Sequence, residues 1–232
     1  MADKTRPSKR QLEIQLGRLK ILEKPSLKLE QYPVSSEAAS ELLYLAGFEH
    51  DDLNGRVIDL GTGTGRLAIG AVLMGAKEVV GIDIDDQALA LAKTNAETAG
   101  VQVEWTQSEV EKVNGRFGAV IMNPPYGTRT SHADARFLEK AFRLAPVVYS
   151  IHKSATREFL FRFVTRSGWR VDQVRSMRME IPRLFEFHEK KRATVEVDLY
   201  RILRKNIQLN LAMKNDPSQI SDAQPSQSEK RA

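Results

Sequence analysis

The sequence predicts an α/β protein: a seven-stranded, mostly parallel sheet with one antiparallel strand and helices on both faces. Three observations carry this. Short apolar runs alternate with helix-like stretches over most of the chain, the pattern of repeated strand–helix–strand units. A glycine-rich turn, Gly61-Thr62-Gly63-Thr64-Gly65, follows the first of these runs. The last two apolar runs have no helix between them, which predicts an antiparallel strand closing one edge.

The elements follow in order. Residues 11–22 place Leu12, Leu16 and Leu19 on one helical face, and Lys24-Pro25 ends that helix. Ser35 or Ser36 caps a second helix carrying Ala38, Leu42, Leu43 and Leu45 as far as Gly47. After Asn54-Gly55 the rhythm changes. Arg56–Leu60 is the first strand, and a helix covers 66–74. Glu78–Asp83 is the second strand. Asp85-Asp86 open an Ala/Leu-rich helix over 87–98 that Gly100 stops. The third strand, 101–106, is predicted at a sheet edge, because such a chain starts near the middle and winds outward both ways. Ala119–Met122 is the fourth strand, Ala133–Leu144 a helix and 147–151 the fifth strand. A helix over 156–166 ends at Gly168. Strands at 169–177 and 194–203 flank a basic loop. The expected organisation is a helical extension over 1–50, a domain over 51–204 and a disordered polar tail over 205–232.

Composition excludes several classes. The chain has no cysteine, which removes disulfides, cysteine–zinc sites and a cysteine nucleophile, and points to a reducing cytoplasm. No apolar run approaches the ~18–20 residues that span a bilayer, and MADKTRPSKR has no apolar stretch behind its charges, so no signal peptide is expected. Net charge is −6 from Asp51 to Val110, +8 from Ala135 to Arg204 and +4 over the first 30 residues. Basic flanks around an acidic middle suit a polyanion held by the flanks.

The glycine turn also suits NAD or FAD, but two details argue against a dinucleotide. The spacing is G-x-G-x-G rather than G-x-G-x-x-G, and Asp59 precedes the first glycine. A carboxylate there repels a pyrophosphate at the helix N-terminus and accommodates a cationic amino-acid group. Asp83 ends the second strand, where an acid accepts hydrogen bonds from both hydroxyls of a ribose. Ser108-Glu109, after the third strand, stands where a polar side chain reads an adenine amine. Adenosine, cationic methionine and no phosphate site together describe S-adenosylmethionine. The candidate cofactor residues are Asp59, Gly61, Gly63, Gly65, Asp83, Ser108, Glu109 and Asn123.

Asn123-Pro124-Pro125-Tyr126 follows the fourth strand, at the sheet edge where open α/β sheets bind ligands. An aromatic amine is a poor nucleophile because its lone pair is delocalised. Acceptors on its two hydrogens, from the Asn123 side chain and the Pro124 carbonyl, favour a pyramidal nitrogen and stabilise its developing charge. The prolines stiffen the loop, and Tyr126 offers a stacking face for a planar target.

These stretches resemble class I methyltransferases with an Asn-Pro-Pro-aromatic signature. More closely, the chain is similar to the methyltransferase-like protein five family, which methylates one adenosine of small-subunit ribosomal RNA at N6. The resemblance runs through LEQYPV (29–34), VIDLGTGTGRLAIGA (57–71), GIDID (81–85), VIMNPPYGT (120–128), YSIHKSATRE (149–158) and FHEKKRATVEVDL (187–199). It implies a cofactor contact from Gln31, a base pocket from Asn123 to Tyr126, and a small zinc-binding activator subunit on the third-strand edge. His152, Lys153, Lys190, Lys191 and Arg192 lie in predicted loops with no apolar periodicity and are read as holding RNA phosphates, a reading the resemblance favours. The chain departs from the family pattern at Val34, where Thr is common, at Glu109, where Asp is usual, and at Tyr126, where Phe is more usual. A glutamine-amide methyltransferase, a DNA adenine methyltransferase and a non-catalytic RNA-binding module remain as alternatives. The first two usually carry an extra substrate domain, and the third needs no intact Asn123 motif.

Overall fold

The computed structural model describes residues 6–26, 29–125, 133–182 and 192–205. Two helices come first, α1 (Lys9–Gly17) and α2 (Ser36–Tyr44), the second running into a π-helical turn at Leu45–Glu49. Then come β1 (Arg56–Leu60), α3 (Arg66–Leu73), β2 (Glu78–Asp83), α4 (Asp86–Ala99), β3 (Glu104–Gln107), β4 (Ala119–Met122), α5 (Ala133–Leu144), β5 (Val147–Lys153), α6 (Arg157–Arg166), β6 (Trp169–Pro182) and β7 (Arg192–Arg204). The sheet has the order β3-β2-β1-β4-β5-β7-β6.

Seven strands, one of them antiparallel, is what the sequence predicts. The place of the antiparallel strand is corrected: β7 pairs antiparallel with both β5 and β6, so β6 forms the edge. Composition explains the choice. β7 buries Val197, Leu199, Tyr200, Ile202 and Leu203, whereas β6 carries Arg170, Asp172, Gln173, Arg175 and Arg178. An edge strand tolerates charges that an interior strand does not. Several boundaries also shift. Helix α1 starts earlier than expected, because Ser8 and Gln11 form a capping box, and stops at Gly17 instead of near residue 22. Strand β3 begins at Glu104: Gly100 ends α4 in a left-handed conformation, and residues 101–103 carry the chain back to the sheet. Strand β5 runs on to Lys153. The expected tail lies, beyond Lys205, outside the described residues.

Successive strand residues face opposite sides. Val57, Val79, Ala119, Ile121 and Tyr149 join a core with Leu12, Leu16, Leu42, Leu43 and Ile69. Ile58, Val80, Val120, Met122 and Val148 join another with Leu138, Phe142, Leu160 and Val164. Thus α1 and α2 share the main core, each fully buried leucine contributing ~1.5–3 kcal/mol. The chain winds from β1 to β3 in one direction and from β4 to β6 in the other. The switch between β1 and β4 opens a crevice at their carboxyl ends. Among the described residues, no helix is long and apolar enough to cross a membrane.

Candidate active site

A cleft of about 610 Å³ fills that crevice. Its floor is the glycine turn. Gly63, at φ 54°, has open space where a side chain would start, so the backbone is free to meet a ligand. Gly65, at φ 84°, differs: a Cβ there would stand 2.7 Å from the Trp105 ring. Asp83, at the end of β2, accepts from the Gly63 N–H at 2.7 Å and the Asp85 N–H at 3.0 Å. It thereby fixes the turn against its own strand while facing the cleft, and burial raises its pKa.

Asp59 lies beneath the turn, 1% exposed. Its Oδ2 accepts from the Thr62 hydroxyl at 2.6 Å and the Ala68 N–H at 3.0 Å, so β1 caps α3 from outside the helix. Burial pushes this carboxyl up to about 7.

Residues 19–26 and 29–34 strap the turn and the cleft from the N-terminal side. The side chain of Gln31 accepts from the Ser26 N–H at 2.6 Å and donates to Asp85 Oδ2 at 2.5 Å. The Asn95 amide pairs with both backbone groups of Lys20 and also donates to the Thr64 carbonyl. The Arg66 guanidinium donates to the carbonyls of Val34 and Leu19. Glu30, buried on this strap, holds a left-handed φ of 49°.

The Asn123 amide, on the cleft's rim, donates to the Tyr32 carbonyl at 3.2 Å, which ties the strap to the end of β4. Pro124 is buried and Pro125 lines the cleft. Tyr126 lies outside the described residues. The cleft therefore collects Gln31, Asp59, Gly61, Gly63, Asp83, Ser108, Glu109, Asn123 and Pro125 from segments far apart in sequence. The Glu109 carboxylate is exposed and accepts from Lys112 at 2.9 Å. Gly65 supports the turn from behind.

The set of candidate RNA contacts divides. His152 is corrected: it lies on β5, 1% exposed, with Nε2 2.7 Å from the Ser150 hydroxyl and its ring edge-on to Tyr200. Burial holds its pKa down to about 3, so it is neutral at physiological pH and does not reach a phosphate. Lys153 ends the same strand, half-buried rather than in a loop. Lys190 and Lys191 lie outside the described residues. Arg192 begins β7 opposite Pro182, with its side chain outside them.

Sequence reasoning missed Thr62, Tyr32 and Arg66. Arg66 left a signal: it is the single charge in the helix RLAIGAVL. The donors and acceptors present fit a nucleoside joined to an amino acid. A diol acceptor stands at β2, a backbone turn at its centre and a buried carboxylate at β1.

A family model described as ribosomal protein L11 methyltransferase (PrmA) matches residues 42–123, from α2 to Asn123. The chain is 34% identical over 200 residues to the rRNA N(6)-adenosine-methyltransferase METTL5 of Danio rerio, spanning 83% of this chain and 97% of that one. It is 36% identical over 206 residues to an uncharacterized protein of Methanocaldococcus jannaschii, spanning 84% and 93%. Among solved structures it is similar to a crystal structure from Pyrococcus horikoshii described as a candidate RNA methyltransferase. That similarity has 40% identity, a TM-score of 0.79 and coverage of 85% of this chain and 98% of the other.

Proposed function

The chain belongs to the METTL5 family of rRNA N(6)-adenosine-methyltransferases, and on that premise we propose that it methylates the N6 amine of one adenosine in small-subunit ribosomal RNA. The observation that carries this reading is Asn123-Pro124-Pro125 on the rim of the same cleft as the glycine turn, with β4 beside β1.

S-adenosylmethionine, when bound, supplies an electrophilic methyl group. The chain's residues do the rest. Asn123 Oδ1 and the Pro124 carbonyl accept hydrogen bonds from the target amine, which localises the nitrogen lone pair and stabilises positive charge as it develops. The two prolines keep these acceptors from reorganising. Tyr126 stacks on the base, a contact worth ~1–3 kcal/mol. Asp83 accepts from the cofactor's ribose hydroxyls, Ser108 and Glu109 line its adenine, and Gln31 closes over it. No carboxylate or imidazole is required as a base before attack, since the proton leaves afterwards to water.

Lys153, Lys190, Lys191 and Arg192 hold RNA phosphates, supported by the net +8 from Ala135 to Arg204. The enzyme works in the reducing cytoplasm, which suits a chain without cysteine.

A small zinc-binding activator subunit adds a strand to β3. That edge is short and has neither Pro nor Lys to block pairing. The Ser108 N–H turns inward to the Asp83 carbonyl, so alternation along β3 turns the N–H groups of Trp105 and Gln107 outward. Val103→Pro places a proline directly before this edge and disturbs its start. It should abolish co-purification with the activator while the variant still folds and binds S-adenosylmethionine. A wild-type chain that is monomeric, stable and fully active alone refutes the partner.

The chemistry is tested by incubating the protein with radiolabelled S-adenosylmethionine and total RNA, DNA or protein, then digesting to nucleosides or amino acids. Label in N6-methyladenosine of small-subunit rRNA is expected. Label in glutamine or in DNA overturns the reading.

A further inference from the structure

The side-chain amide of Asn123 has two ends of opposite chemistry. Oδ1 accepts hydrogen bonds, whereas Nδ2 donates them. Methyl transfer to an amine needs the accepting end turned to the target. An amide rotated by half a turn would present a donor to a donor. Neither Pro124 nor Pro125 carries an N–H that could hold the amide oxygen.

The strap supplies the choice. Asn123 Nδ2 donates to the Tyr32 carbonyl at 3.2 Å. A carbonyl only accepts, so the nitrogen end faces the strap and Oδ1, the other end of the same planar group, is turned away from it. The Tyr32 carbonyl is itself held on every side. The Tyr32 N–H donates to the Glu30 carbonyl at 2.8 Å, across Gln31, whose side chain is tied to Asp85. Pro33 confines Tyr32 to extended backbone. Val34 is buried and its carbonyl takes the Arg66 guanidinium. The Tyr32 side chain packs on the core that α1 and α2 share.

We propose that Tyr32 is a positioning residue for methyl transfer: its backbone carbonyl sets the Asn123 amide so that Oδ1 faces the target amine. This rests on the reading of Asn123 as the acceptor of that amine. One consequence is that Asp cannot stand in for Asn. An ionised carboxylate would set an oxygen against the Tyr32 carbonyl oxygen. A protonated carboxyl would copy the amide, donating to Tyr32 through O–H and accepting from the amine through C=O. A second consequence is that one segment, the strap, closes the cofactor cleft and readies the acceptor.

The test is single-turnover methyl transfer by the whole chain to deproteinised small-subunit ribosomal RNA at saturating S-adenosylmethionine. The rate of Asn123→Asp, as a ratio to wild type, should rise about tenfold per pH unit from pH 8 to pH 6, following the protonated fraction of the introduced carboxyl. The titratable groups that line the cleft with it are Glu30 and Tyr32 from the strap, Asp59 from β1, Arg66 from α3, Asp83 from β2, Glu109 and Glu111 after β3, and Arg136 from α5. They are common to both proteins and cancel in the ratio. A ratio that does not change with pH overturns the proposal, whatever its size. Pro33→Ala, which frees the Tyr32 carbonyl, should lower the rate roughly 3- to 10-fold and change S-adenosylmethionine affinity less than about threefold. Added to Asn123→Ala, it should cost less than about twofold, because the amide it orients is gone. Equal losses from Pro33→Ala in both backgrounds overturn the proposal, leaving Pro33 as a brace of the strap. This cycle decides the matter if Asn123→Asp fails to fold. Full activity of Asn123→Ala is a different result, which removes the acceptor reading itself.

Discussion

Burial beneath the glycine turn pushes the Asp59 carboxyl up to about 7, from 3.8 for an unperturbed side chain. Oδ2 already accepts two hydrogen bonds, from Thr62 and Ala68, so the proton resides on the unpartnered Oδ1. The groups facing Asp59 are the Thr62 hydroxyl, the Ala68 N–H and the like-charged Asp83, and Arg66 lines the same cleft. An ammonium group needs Oδ1 ionised. With a pKa of about 7, roughly one-tenth of molecules are ionised at pH 6 and nine-tenths at pH 8. Apparent affinity scales with the competent fraction, so S-adenosylhomocysteine should bind about tenfold more tightly at pH 8 than at pH 6. Binding at pH 7 should release about half a proton. Calorimetry in two buffers of different ionisation enthalpy reads both quantities. The stability of the ligand-free chain should move oppositely. The folded pKa lies above the unfolded one, so this contribution is fully present below about 4 and is lost as pH rises through about 7. Asp59→Asn should weaken binding and flatten its pH profile. Affinity that is flat from pH 6 to 8, with no buffer dependence of the heat, refutes the reasoning, as does an unchanged profile in Asp59→Asn.

Asn123→Ala should lower turnover ~10²–10³-fold with cofactor affinity nearly unchanged, because its oxygen acts on the target amine; retention of most activity in a single-turnover assay excludes that role. Asp83→Ala should weaken S-adenosylmethionine binding by roughly 1.5–3 kcal/mol. It should also lower Tm, since the carboxylate holds the Gly63 and Asp85 N–H groups, and calorimetry showing unchanged affinity rules out the ribose contact. Neutralising Lys190, Lys191 and Arg192 together should lower RNA affinity and reduce the slope of log K against log salt by ~0.7 per lost single-strand phosphate contact. An unchanged slope assigns these charges to the solvated surface.

The elements legible in the sequence were those whose signals are local. Arg56–Leu60, Glu78–Asp83 and Ala119–Met122 are short, apolar and bounded by turn residues, and the structure begins and ends them at the residues expected. His152 was misread although a signal was present. Strand alternation from Val148 through Ser150 continues to it, and β5 is buried on both faces; only the apparent end of the apolar run at Ile151 suggested a loop. Pairing with β7 extends β5 to Lys153, and such pairing is not a local property. The strap was legible as one contact, Gln31, because its other ties run to backbone carbonyls of Leu19, Lys20, Tyr32, Val34 and Thr64, which leave no mark on residue type. Two stretches that carry the family resemblance also proved to meet. Asp198, from the last strand, accepts two hydrogen bonds from Arg157 at 2.7 Å and one from Ser154 at 2.8 Å, so they brace β7 against the start of α6.

Trp105 joins the β3 edge to the glycine turn. In the structure its ring fills the space left by two glycines, Gly65 in the turn and Gly81 within β2, where a Cβ would stand 2.7 and 2.5 Å from it. Neither glycine can gain a side chain unless this indole moves. At Gly65 the left-handed backbone opposes substitution as well. A mid-strand glycine such as Gly81 ordinarily weakens a strand. Here it lets an aromatic ring from the edge strand lie flush against the sheet, under the glycine turn. A strand added to β3 would bond to the outward N–H of the residue whose ring supports that turn. The β3 edge and the glycine turn are therefore one packed unit, joined through a single side chain.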